Sequence, residues 1–119
     1  MPSAREDYLL RMIAQAAAAI RRLRERLVGG GSADEVVRDA GAAIGELLGP
    51  QRPMLDLLDP RSATSLLGND ERVVHWIAFI RLQAEAERQS GSESKAMQLE
   101  RRADALELAL AQSLQELKQ

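Results

Sequence analysis

Apolar residues near the start of the chain return every three or four positions: Leu9, Ile13, Ala16, Ile20, Leu23 and Leu27 are spaced by four, three, four, three and four. That rhythm keeps one face of an α-helix apolar, and nowhere in the 119 residues does a useful length alternate with period two. The expected fold class is therefore all-α, without a sheet. Aromatic side chains are limited to Tyr8, Trp76 and Phe79. The core must then be built from Leu, Ile, Val and Ala, which suits closely spaced helices. The length is enough for one domain and too short for two, so residues 1–119 are read as a single domain.

Capping signals divide the chain. Ser3 with Glu6 has the form of a capping box and opens the first long helix, which Gly29, Gly30 and Gly31 stop. Ser32 with Glu35 opens a second, whose buried stripe is Val36, Ala40, Ala43, Ile44, Leu47 and Leu48, closed by Gly49 and Pro50. Gly41 and Gly45 stand one turn apart inside it, at a cost of about 1 kcal/mol each relative to Ala. A close backbone approach to a neighbouring helix is the expected compensation. Residues 50–68 form a compact connector with a turn of helix over Pro53 to Leu58 and another begun by Asp59 and Pro60, running to Leu67 and ended by Gly68.

Asn69 or Asp70 caps the next helix, which runs to about Gln89 and is apolar around most of its circumference at Val73, Val74, Trp76, Ile77, Phe79 and Ile80. It should be the most buried helix, with a polar, solvated end from Leu82 onward. Ser90, Gly91 and Ser92 make a turn into a last helix from Glu93 to Leu117, striped by Ala96, Leu99, Ala103, Leu106, Leu110 and Leu117. Four main helices plus a short helical connector, arranged as antiparallel hairpins, result.

The last hairpin carries a resemblance. Ala84, Gly91, Ala96 and Ala103 are similar in spacing to the small-residue skeleton of a tetratricopeptide repeat, where alanines let two helices approach and the glycine permits the turn. Ile80, Glu87 and Glu100 stand where that pattern prefers large aromatic residues. Gly31, Val36 and Ala43 occupy equivalent spacings in the first hairpin. The segment Asp7, Tyr8, Leu9, Leu10, Arg11, Met12, Ile13, together with Leu47, Leu48 and Gly49, resembles the opening of a group of small bacterial all-helical proteins of uncharacterised function. The resemblance implies a fold of hairpins with tetratricopeptide-like packing and implies no activity. Fourteen of the sixteen basic residues are Arg, which with abundant Ala fits a GC-rich bacterial genome.

Composition removes several function classes. No cysteine is present, which excludes disulfide scaffolds, thiol catalysis and cysteine-bound zinc. One histidine excludes two-histidine metal motifs. The acidic pairs at Asp34 and Glu35, Asp70 and Glu71, and Glu85 and Glu87 match no calcium loop or dimetal arrangement, and the serines sit at caps and turns without a nucleophile elbow. No catalytic, cofactor or metal residue is assigned. No stretch of about 18 apolar residues exists to cross a membrane, and acids occupy the start where a secretory signal carries bases. The expectation is a cytoplasmic, non-enzymatic protein.

Two groups remain as candidate partner-binding residues. Arg21, Arg22, Arg24 and Arg26 form a basic collar joined by Arg11; Arg11, Arg22 and Arg26 share one helix face while Arg21 and Arg24 point elsewhere. The net charge of −2 divides into +3 over residues 1–31 and −5 over the rest, which favours docking between opposite ends over attraction to polyanions. His75 and Trp76 are the second group, with Glu71 placed to pair with His75 one turn away. The reading is a protein–protein interaction module, adaptor or scaffold, that holds a protein or peptide in a groove between its hairpins or on an exposed apolar helix face, and pairs as a homodimer. Two alternatives accompany it: a regulatory protein contacting nucleic acid through the collar, and a small-ligand-binding protein using His75 and Trp76.

Overall fold

The computed structural model describes residues 3–118. Met1 and Pro2, part of the acidic opening segment read against a signal peptide, and Gln119 lie outside the described residues. Six α-helices follow one another: α1 (Ala4–Val28), α2 (Ala33–Leu48), α3 (Arg52–Leu57), α4 (Pro60–Leu67), α5 (Asp70–Gln89) and α6 (Glu93–Leu117), with a 3₁₀ turn over Gly49–Gln51 leading into α3. No strand occurs among the described residues. Four long helices with a helical connector are thus present, the connector holding two short helices and starting one residue before the expected Pro53.

The caps explain the boundaries. Ser3 Oγ accepts the Glu6 amide N–H at 3.2 Å while Glu6 returns a carboxylate to the Ser3 amide, a complete capping box. Ser32, Asp59 and Asn69 accept in the same way from Glu35, Ser62 and Arg72. Asn69, not Asp70, is therefore the cap of α5. Gly68 ends α4 at φ 71°, a left-handed conformation that glycine adopts without a Cβ penalty.

Helix α5 is the centre of the molecule. It packs against α6, α2, α1 and α4, and buries Val73, Trp76, Ile77, Phe79 and Ile80. The expectation that it turns polar and solvated from Leu82 onward is corrected here: Leu82, Ala84 and Ala86 are also buried, and only the Glu85 and Arg88 side reaches water. The reason is the small-residue seam. Ala84, Ala96 and Ala103 are fully covered, so α6 approaches α5 closely along the whole hairpin. Arg88 and Arg81 of α5 pair with Glu93 and Glu100, and with Asp104 and Glu107, of α6, an order that fixes the two helices as antiparallel.

The first hairpin is looser. Arg26 of α1 pairs with Asp39 at 2.7 Å and Glu35 at 3.6 Å, so α2 runs back along α1. Of the first apolar stripe Ala16, Ile20, Leu23 and Leu27 are buried, whereas Leu9 and Ile13 are half-buried. Helix α2 is nine residues shorter than α1 and ends before it covers them. Leu117 also departs from its expected stripe and is 79% exposed, being in the final turn of α6.

The two glycines of α2 do not bring a helix backbone close, as the sequence suggested. Side chains fill the space instead. The Gln83 amide lies over Gly41 and donates to the Val37 carbonyl at 3.2 Å, and the Arg52 guanidinium lies over Gly45 and donates to the Gly41 carbonyl. Arg72 and Arg102 act similarly at helix ends. Arg72 donates twice to the Leu47 carbonyl in the last turn of α2, and Arg102 donates to the Leu55 and Leu58 carbonyls at α3 while its guanidinium stacks 5.5 Å from the Trp76 ring. Cations suit these carbonyl ends. Burial pushes the Arg72 pKa down from its ordinary value, an effect opposed by nearby Tyr8.

Candidate docking surface

Helices α1, α5 and α6 form one layer, and α2 (against α1 and α5) and α4 (against α5 and α6) form the layer behind it. Among the described residues no helix lies over the outer side of the first layer. There α5 supplies a floor of Val74, Ile77, Ala78 and Leu82, Leu110 adds to it from α6, and the sides carry Arg24 from α1 and Glu107 from α6. This shallow groove encloses about 370 Å³. Val74, at 50% exposure, is the large apolar side chain of α5 that the fold leaves in water.

Charge is distributed across the groove unevenly. On the α6 side Asp104 accepts from Arg81 at 3.0 Å and Glu107 accepts from the same guanidinium, an arrangement that holds Arg81 charged and raises its pKa, first through the hydrogen bond it donates to Asp104, offset in part by burial. On the α1 side Arg24 and Arg21 make no ion pair among the described residues, and Arg21 borders the adjoining hollow that Arg24, Glu25 and Val28 also line. A basic side faces an acidic one.

The arginine collar is consequently divided by the fold. Arg26 is engaged with α2, as described above. Arg11 and Arg22 lie on the same, α2-facing side of α1, in an open groove of about 670 Å³ shared with Tyr8, Met12 and Glu46. Tyr8 lines the same groove beside Arg11, three residues on along α1, and stands about four helical turns from Arg22, so it remains distant from the collar. Arg21 and Arg24 belong to the α5–α6 side. The helix-face assignment made from sequence holds, since Arg11, Arg22 and Arg26 all turn toward α2.

His75 and Trp76 are not brought together as a site. Trp76 is 2% exposed in the core, beneath Arg102, and reaches no surface. His75 is half-buried and its Nδ1–H donates to the Glu71 backbone carbonyl at 2.6 Å. The expected pairing with the Glu71 carboxylate is not made, because the helix carbonyl one turn back is nearer and presents a fixed acceptor. Among the described residues no three acidic or histidine side chains gather at a metal-binding distance.

The reading from sequence missed Val74, Arg81 and Glu107 as surface groups, whereas Leu110 is buried as its stripe predicts. The signal was present on α1. Leu10, Ala14, Ala17, Arg21, Arg24 and Val28 repeat the first stripe one position later, again at spacings of four, three, four, three and four, and so mark a second helix face with small and apolar residues.

These features define, over the described residues, an all-α fold of two helical layers. No protein-family model, characterised protein or solved structure matches the chain.

Proposed function

We propose that this chain is a non-enzymatic protein–protein interaction module of the cytoplasm, an adaptor or scaffold that receives another polypeptide on the α1–α5–α6 face. One observation supports it above others: α5, the most buried helix, still presents Val74 and Ala78 to solvent between two helices whose facing sides carry opposite charge. An apolar strip with a charged rim is how helical grooves receive a helix or extended segment. The close alanine seam of the α5–α6 hairpin supports the relation to tetratricopeptide-like hairpins and, through it, to small bacterial helical proteins. The division of the collar favours a protein partner over nucleic acid, because the arginines do not gather on one face and Asp39 and Glu35 neutralise Arg26.

The test is affinity capture from the native cell with the wild type and the Val74→Asp variant in parallel. The expected result is a partner retained by the wild type and lost by the variant, with both proteins equally helical by circular dichroism. Retention of the same partners by both would set the face aside.

A further inference from the structure

We infer that the occupant of the α1–α5–α6 face is the same face of a second copy, joined by a two-fold axis parallel to α5. This inference rests on the docking role proposed for that face. Charge selects the symmetry. An isologous pair of helical layers can align about a two-fold parallel to the helices or one across them. The axis parallel to α5 places α1 of each copy over α6 of the other, so Arg21 and Arg24, which make no ion pair among the described residues, meet the second copy's Asp104 and Glu107. The axis across α5 superposes α1 on α1 and α6 on α6, like charge on like.

The distribution along the helices selects the same arrangement. A two-fold parallel to α5 leaves every residue at its own level along the axis. Arg24 shares its groove with Arg81, Glu85 and Glu107, and that charged level meets its equivalent in the second copy. Val74, on the central helix, meets its equivalent at the apolar level.

Sedimentation of the full-length chain at micromolar concentration tests the pairing. The wild type is expected to be a dimer. Arg24→Glu and Glu107→Arg are each expected to weaken it by at least about tenfold, and an equimolar mixture of the two variants to recover dimer, since both of its rims are again complementary. Arg81 retains Asp104 in the Glu107→Arg variant, and circular dichroism verifies its fold. A second measurement is independent of charge: the Ala78→Cys variant, with the only thiol in the chain, is expected to oxidise to a linked dimer because the two-fold faces residue 78 with itself, whereas Ala42→Cys on α2 is not. A dimer that survives both charge reversals overturns the inference. A monomeric wild type whose captured partner is lost by Val74→Asp overturns self-pairing and leaves the docking face standing. A monomer with no partner sensitive to Val74→Asp overturns both.

Discussion

The guanidinium of Arg52 lies over Gly45, where a Cβ would stand 3.1 Å from Nη1. The glycine is therefore a seat for an arginine from the connector, and the bond to the Gly41 carbonyl ties the 3₁₀ turn and α3 back to α2. Each glycine in α2 costs helix propensity, and each is offset by a polar side chain laid on the exposed backbone.

Gly41 and Gly45 should respond differently to alanine. At Gly41 the nearest atom to a new Cβ is the Gln83 amide nitrogen at 3.4 Å, an ordinary contact, so Gly41→Ala should be neutral to stabilising by up to about 1 kcal/mol. Gly45→Ala displaces Arg52 and loses a charged hydrogen bond of about 1.5–3 kcal/mol against the same gain in propensity, for a net loss of about 1 kcal/mol. Urea denaturation of the pair measures the difference.

Arg102 joins three elements through two carbonyls and the Trp76 ring. Arg102→Ala should cost about 2–3 kcal/mol from the lost charged hydrogen bonds and ring contact. Arg102→Lys should recover less than half, because an ammonium cannot reach both carbonyls with a planar fork. Emission from the single tryptophan should shift as α3 loosens, which makes fluorescence a direct reading of this joint.

The α5–α6 seam should resist enlargement. Ala103 is fully buried where the two helices approach, so Ala103→Leu should destabilise by about 1–3 kcal/mol through overpacking. Ala42→Leu, on the exposed side of α2, should change thermal stability little. Equal effects at the two positions would contradict the seam.

Stability should fall in acid. Hydrogen bonds from Ser62, first its side chain and then its backbone N–H, hold Asp59 below its ordinary 3.8, and the Arg88 guanidinium holds Glu100 below 4.5. Both carboxylates release a proton more readily folded than unfolded. Their contribution is complete above the ordinary carboxylate range and is lost as pH falls through the lowered folded values. Thermal melts should therefore fall in Tm on going from about pH 5 to about pH 3, and Asp59→Asn, which keeps an acceptor for the cap without a titrating carboxyl, should flatten the fall.

Helix boundaries were legible because caps are local: Ser3, Ser32, Asp59 and Gly68 act within a few residues of themselves. Buried stripes were legible to the extent that a helix has a neighbour for its whole length. Leu9, Ile13 and Leu117 fit the periodicity and escape burial because the adjacent helix ends or has not begun. The end of α5 misled in the opposite direction, since Ala84 and Ala86 carry little hydrophobic signal yet pack most tightly. The fate of the arginines was the least legible. Arg26, Arg52, Arg72 and Arg102 engage carboxylates or carbonyls far along the chain, and their long flexible stems leave no periodic trace in sequence.

Helix α5 packs against every other long helix, α1, α2 and α6, and against α4 as well. The molecule consequently has no natural seam at which it can be halved. Cleavage after Gly68 separates a piece whose α2 has lost its principal support from a hairpin whose apolar side is bare. Neither fragment retains a closed core, and the two are expected to regain native structure only in each other's presence, as complementing parts of one cooperative unit.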